Sequence, residues 1–131
     1  MREALKSSLI LVCLAVLLTA GCRPRTGQKY TVRAEVVELP SAANGNLFVL
    51  HHEAIDGFVT RDGKAEGMDS MTMPFLVAKN VPLTEIQPND KVEVLLHVDW
   101  RADRAVEIIG LRKHSPNLRL EFRAARPPGK P

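Results

Sequence analysis

The sequence predicts an all-β fold: a small five-stranded OB-like barrel, preceded by an N-terminal signal segment. Three observations lead there. Apolar residues show little helical periodicity anywhere in the chain, and turn-forming residues interrupt the apolar runs at short intervals. The run from Lys91 to Trp100 alternates cleanly, with Val92, Val94, Leu96, Val98 and Trp100 on one face and Glu93, His97 and Asp99 on the other with Leu95. So few short strands, one with so consistent an apolar face, suit a closed or nearly closed barrel; a two-sheet sandwich usually needs more and stands second.

At the N-terminus, Arg2 and Lys6 precede an apolar run, Leu9 to Leu18, that is too short to span a bilayer and ends in small residues. Residues 1–21 are therefore expected to be a secretory signal. It closes in Leu18-Thr19-Ala20-Gly21-Cys22, which resembles a bacterial lipobox and makes Cys22 the expected lipidation site. Arg23 after the cysteine, rather than Asp, resembles the sorting pattern that favours the outer membrane where the host has one. Cys13 would leave with the signal and Cys22 would be consumed by the lipid, so the mature chain is expected to have no free thiol. Disulfide scaffolds, cysteine nucleophiles and thiolate zinc sites are excluded on that reading.

Residues 22–29 read as a flexible tether, 30–113 as the barrel and 114–131 as a C-terminal extension whose Arg/Pro-rich end, Arg123 to Pro131, reads as unpacked. Within the barrel the expected strands are Tyr30–Leu39, Asn46–His52, Met71–Ala78, Lys91–Trp100 and Arg104–Arg112. Ala43-Asn44-Gly45 turns between the first two, and Gln87-Pro88-Asn89-Asp90 precedes the fourth. Pro74 has no ladder donor, which puts the third strand at an edge or a bulge. In the extension, the alternation Leu118, Leu120, Phe122 is compatible with an added strand or a partner-binding strip.

Charge excludes one class of partner. With Arg2, Lys6 and Glu3 set aside, sixteen basic residues face fourteen acidic ones, spread evenly. There is no basic stripe and no aromatic interleaving to stack bases, so no nucleic acid is expected. Enzyme activity is not expected either: there is no phosphate loop, no HExxH and no recognisable Ser/His/Asp spacing.

The chemistry of the chain lies in its methionines. Apart from Met1, all fall within Met68-Asp69-Ser70-Met71-Thr72-Met73, shortly after His51-His52. Thioether sulfur is soft and neutral, and beside an imidazole it selects Cu(I), and by the same softness Ag(I), over Mg, Ca or Zn. Alternating methionines also serve as core filler, since the flexible thioether fits irregular gaps. On the third strand Met71, Met73, Phe75 and Val77 share a face, and a neighbouring strand lies about 4.8 Å away, so two thioethers and one imidazole can converge on one ion. His51 and His52 face opposite ways, so only one can enter such a site. Glu53 and Asp69 are hard ligands that suit Zn or Ca better, and His97 and His114 read as solvated.

Taken together, His52-Glu53-Ala54-Ile55, Gly57-Phe58 and Met68-Asp69-Ser70-Met71-Thr72-Met73-Pro74-Phe75 resemble the CusF-type periplasmic copper/silver-binding family, with Met71-Thr72-Met73-Pro74-Phe75 the most specific element. Pro88-Asn89-Asp90-Lys91-Val92 and Ala105 to Leu111 extend the resemblance over residues 30–113. It implies an OB-like barrel that binds Cu(I) or Ag(I) as a metallochaperone or buffer, with His52, Met71 and Met73 as ligands. It also implies transfer to a copper/silver efflux pump or a copper-enzyme assembly protein by a periplasmic monomer, which the lipobox-like segment would hold to the membrane through a lipid anchor. The chain departs from the family in two places. Where relatives often place a Trp to cover the ion, Met68 stands here, and it is open to three roles: ligand, cover or bystander. A polar insertion, Val59 to Gly67, lengthens the loop before Met68 and is expected to hold that residue less firmly, or to serve as a docking surface. The one tryptophan, Trp100, reads as core.

Overall fold

The computed structural model describes residues 26–129; the signal segment, Cys22 and the start of the tether lie outside them. Five strands form a closed barrel: β1 (Gln28–Glu38), β2 (Phe48–His52), β3 (Met71–Val77), β4 (Lys91–Val98) and β5 (Val106–Lys113), in the spatial order β1-β2-β3-β5-β4. All pairings are antiparallel except β3 with β5, which closes the barrel through Leu76↔Glu107 and Val77↔Ile108. The fold class is as the sequence predicts. Closure is narrow at the β3–β5 seam: β3 meets β5 only at Leu76 and Val77, so Met71–Phe75 pair with β2 alone and Pro74 lies on an edge, as its missing donor predicts.

Side chains alternate in and out as the fourth strand foretold. Val92, Val94, Leu96 and Val98 are buried, and they meet Val32, Ala34 and Val36 from β1, Phe48 and Leu50 from β2, Phe75 from β3 and Ile108 from β5. β1 pairs with β4 over Gln28–Glu35 and with β2 over Ala34–Glu38, where one extra residue between Val36 and Glu38 bends the strand.

The strand limits differ from expectation where side chains compete for the backbone. Asn46 and Leu47 belong to the turn, not to β2. The Asn44 amide donates to the carbonyls of Leu39 and Leu47, its oxygen accepts from the Ser41 and Leu47 amides, and Asn46 takes a left-handed φ of 60°. β4 stops at Val98 because Asp99 turns the chain: its amide donates to Ala105, and its carboxylate accepts from the Arg101 amide. That leaves Trp100 beyond the strand and starts β5 at Val106. The tether is shorter than expected, since Gln28 and Lys29 already pair with Val98 and His97.

The C-terminal extension is the larger correction. It forms neither an added strand nor, before residue 127, an unpacked tail. Residues 120–126 fold back onto the barrel as an irregular strap, its amides taken by carboxylate side chains and not by a ladder. Arg123 donates from Nη1 and Nη2 to both oxygens of Asp56 at 2.7 and 2.9 Å. Hydrogen bonds from that guanidinium hold the Asp56 carboxyl well below the usual carboxylate range. Composition suggested a loose tail because the partner of Arg123 lies 67 residues away in the chain.

Leu96, only 1 % exposed, sits in the middle of this core, away from the His/Met segments. Leu96→Ala is expected to lower the free energy of unfolding by about 2–5 kcal/mol, read from a urea transition of unchanged slope. A loss under about 1 kcal/mol would mean the barrel interior is not packed as described.

Candidate metal centre

β2 ends in His51-His52, and its alternation settles which histidine points where. Phe48, Leu50 and His52 are buried on the inner face, while Val49 and His51 look outward. β3 runs antiparallel beside it with Phe75 opposite Phe48, Met73 opposite Leu50 and Met71 opposite His52. His52 and Met71 thus share one rung, and Met73 lies on the same face one inward position further along. The Ser70 hydroxyl donates to the His52 carbonyl at 2.9 Å and ties the start of β3 to the end of β2.

The His52 ring is fully buried. Its Nδ1 lies 2.6 Å from the carbonyl oxygen of Glu53. A carbonyl can only accept, so Nδ1 carries the proton and Nε2 keeps its lone pair. That Nε2 is buried and has no hydrogen-bond partner. An unpaired acceptor in an apolar setting is costly, and buried polar atoms left so usually have a reason. Phase and tautomer together leave a nitrogen lone pair on the face that carries the thioethers. Burial pushes the imidazole pKa below its ordinary value, opposed by the Glu53 hydrogen bond and aided by His51, so the ring is held in the neutral form that a metal requires.

Met71 is 42 % exposed despite its inward register, because it stands at the open end of the barrel wall. Met73 and Met68 are partly buried against the core. Met68 is firmly placed: its amide and carbonyl both bond Ile55 at 2.9 Å in an antiparallel bridge. The insertion from Val59 to Gly67 therefore does not slacken it. Val59 bridges Ala65, Thr60 and Lys64 close a tight turn, and the Gly67 amide donates to Phe58, so the segment is a small hairpin continuing the Ile55–Met68 pairing. This hairpin docks on Trp100, whose Nε1 donates to the Val59 carbonyl while the Arg61 guanidinium lies 5.3 Å from the ring centroid. Trp100 packs edge-on to Phe58, at the end of the barrel where Gln28 pairs with Val98. His52 is level with Ala34, about 20 Å along β1 from that end. Trp100 is thus a packing residue, too far away to cover an ion beside His52.

The neighbouring polar residues are engaged elsewhere. His51 stacks face to face on Phe122, with centroids 3.8 Å apart and planes within 6°. Glu53 holds Arg33 through two bonds of 2.8 and 2.9 Å, and Asp69 accepts from the Ala125 amide. His97 bonds the Thr26 carbonyl, while His114 Nε2, which is also buried without a hydrogen-bond partner, lies 3.7 Å from Glu93 with no thioether on its rung. Among the described residues no three His, Cys, Asp or Glu side chains gather where they could hold a metal ion. The other donors that register brings toward His52 are the thioethers of Met71 and Met73, and an imidazole with thioethers is a donor set that suits a soft monovalent ion. The alternation through Phe122 marks that residue in the sequence but not its partner, and nothing local pairs Arg123 with Asp56, because both partners lie in distant segments.

A scan against protein-family models finds none that matches the chain, and a search of curated proteins finds no match. Among solved structures the chain is similar to silver(I)-bound CusF, at 18 % identity and a TM-score of 0.48 over 66 % of this chain and 99 % of that one. It is similar also to apo-CusF from Escherichia coli, at 15 % identity and a TM-score of 0.46 over 72 % and 98 % of the two chains. A single-residue variant of Escherichia coli CusF with Cu(II) gives 15 % and 0.44 over 71 % and 100 %.

The lowered His52 pKa fixes the sign of a pH effect. Below about 6.5 the unfolded chain takes a proton at His52 that the folded chain refuses, so stability falls as pH drops from that value toward the lower folded pKa. Urea unfolding of the metal-free protein should lose more stability between pH 7.5 and pH 5 than the His52→Gln variant does. Equal losses in the two proteins would contradict a buried neutral ring.

Proposed function

We propose that this protein binds one Cu(I) or Ag(I) ion through His52 Nε2 and the thioethers of Met71 and Met73, and carries or buffers it in the cell envelope without catalysing a reaction. The observation that carries this reading is the buried, partnerless Nε2 of His52 on the rung shared with Met71. Burial makes the nitrogen neutral and poorly solvated, and the soft neutral sulfurs beside it add no protons of their own to compete with the ion. The exposure of Met71 supports the same reading. A methionine that served only as core filler would not leave 42 % of its surface in water at the mouth of the site.

That exposure also suggests how the ion leaves. A partner's sulfur can approach Met71 first and displace it, passing the ion by successive ligand exchange while His52 and Met73 still hold it. On this reading the acceptor is a copper/silver efflux pump or a copper-enzyme assembly protein. The chain is a periplasmic monomer tethered through lipid on Cys22, as the lipobox-like Leu18–Cys22 and the resemblance of Met71–Phe75 to the CusF-type family suggest.

Titration of the purified protein with Ag(I), and with Cu(I) under anaerobic reducing conditions, should give one equivalent bound in preference to Zn(II). Met71→Leu and Met73→Leu should each weaken that affinity by about tenfold or more while costing under ~1.5 kcal/mol of stability, since Leu and Met have similar volume. Full Ag(I) affinity in both variants, or Zn(II) binding that excludes Ag(I), would sink the proposal.

To the three ligands above Met68 is added as the candidate fourth, a reading that its bridge to Ile55 supports. X-ray absorption on the Cu(I) form should show three sulfurs and one nitrogen, falling to two sulfurs in Met68→Leu. A shell of two sulfurs and one nitrogen in both proteins would exclude Met68 from the coordination sphere.

A further inference from the structure

The C-terminal strap makes its contacts on the segments that carry the candidate ligands. Phe122 stacks on His51, and the Glu121 amide donates to Glu53, the two neighbours of His52. Arg123 and the Arg126 amide hold Asp56, next to Ile55, the bridge partner of Met68. The Ala125 amide donates to Asp69, and the Ser70 amide donates to the Arg123 carbonyl, both between Met68 and Met71. Ser70 in turn donates its hydroxyl to the His52 carbonyl, so a continuous path of hydrogen bonds runs from the strap to the backbone of the buried histidine.

The barrel does not need these contacts to pack. Its buried cluster, and the partly buried residues against it, include nothing beyond Leu111. Phe122 remains 43 % exposed even when stacked, so it lies over the wall and adds nothing to the interior. The fit over the loop is nonetheless close. Gly67 has a φ of +78°, and a Cβ built there would meet Ala125 Cβ at 2.7 Å and the Asp56 carbonyl at 3.0 Å. Ala125 therefore seats against a position with no side chain.

We propose that this strap is a positioning element of the metal site, with Arg123 as its latch and Phe122 seating it on His51, and that its closure sets how long the ion is retained. The inference rests on the Cu(I)/Ag(I) reading above. The ligands come from the end of β2, the bridge to Ile55 and the start of β3, three pieces of chain that a soft, weakly directional ion would hold poorly by itself. Fixing their neighbours in advance reduces the ordering that binding must impose, and residues behind a ligand shell commonly set affinity in this way. Opening the strap would loosen all three pieces together.

A charge-swap cycle on the full chain tests this. Asp56→Arg opposes Arg123 and Arg126, Arg123→Glu opposes Asp56, and the double variant restores an ion pair with its sense reversed. The protein is loaded with Ag(I), and release to an excess of a competing chelator is timed. Strap closure is followed by the ring-current shift of His51 under Phe122, and barrel integrity by thermal unfolding of the metal-free protein. Each single variant should release Ag(I) on the order of tenfold faster with barrel unfolding nearly unchanged, and the double variant, which regains the ion pair but not the bond from the Arg126 amide, should recover part of the wild-type rate. Should the His51 shift persist in the single variants, Ala125→Leu, whose side chain has no room over Gly67, lifts the strap by another route. Loss of the His51 shift with a wild-type release rate overturns the inference while leaving the metal site standing, as does failure of the double variant to recover. A wild-type protein that retains no Ag(I) overturns both.

Discussion

The pairing of β2 with β3 is the constraint on which the site depends. Strand side chains alternate with a period of two, so a slip of one residue would turn His52 outward and bring His51 in, and would also take Met71 off the histidine's rung. Several features hold the register. Phe48 and Phe75 meet at one end of the pair as buried aromatic partners, and the Ser70 hydroxyl ties the His52 carbonyl at the other. His51 is retained outside by its stack on Phe122. A slipped pairing would bury His51 away from that stack and expose Phe48 or Phe75, each worth roughly 2–3 kcal/mol of apolar burial.

With the register held, the burial of His52 follows, and with it the chemistry. The barrel end that encloses the ring removes water from Nε2, while the Glu53 carbonyl decides the tautomer. Glu53 can present that carbonyl steadily because its carboxylate is held by Arg33 across the β1–β2 pair. The ring is thus neutral, oriented and short of a partner, an arrangement that costs stability and that a bound soft ion would, on the proposed reading, relieve. The acidic residues around it, Glu53, Asp56 and Asp69, are paired with cations or amides.

Around this rung the chain has added two devices at different ends of the barrel. The Val59–Gly67 hairpin extends the Ile55–Met68 bridge and leans on Trp100, so an insertion that looked like slack backbone instead firms the approach to Met68. The C-terminal strap crosses the ligand segments from outside and engages them through side-chain carboxylates, with the Arg123–Asp56 pair at its centre. One device stiffens a loop through ladder bonds and the other through charge. Both act on the same short piece of chain between Met68 and Ser70.

The sequence by itself determined the barrel and marked the candidate donors. Alternation in Val92–Val98, turn residues such as Asn44 and Asn89, and the spacing of Met71 and Met73 are local properties, legible because strand periodicity and turn chemistry act over a few residues. The choice between His51 and His52 lay within reach of the same logic, but it needed the register with β3 to be decided. Only the tertiary structure made Nε2 of His52 a partnerless atom, for burial and tautomer depend on the barrel end and on a carbonyl whose direction no pattern encodes. Only the tertiary structure, too, turned the Arg/Pro-rich tail into a strap and Trp100 into a rest for the hairpin. An ion pair between residues 56 and 123, or a ring contact between 51 and 122, joins positions whose separation in sequence carries no periodic signal, and the closure of the barrel is what brings them within reach.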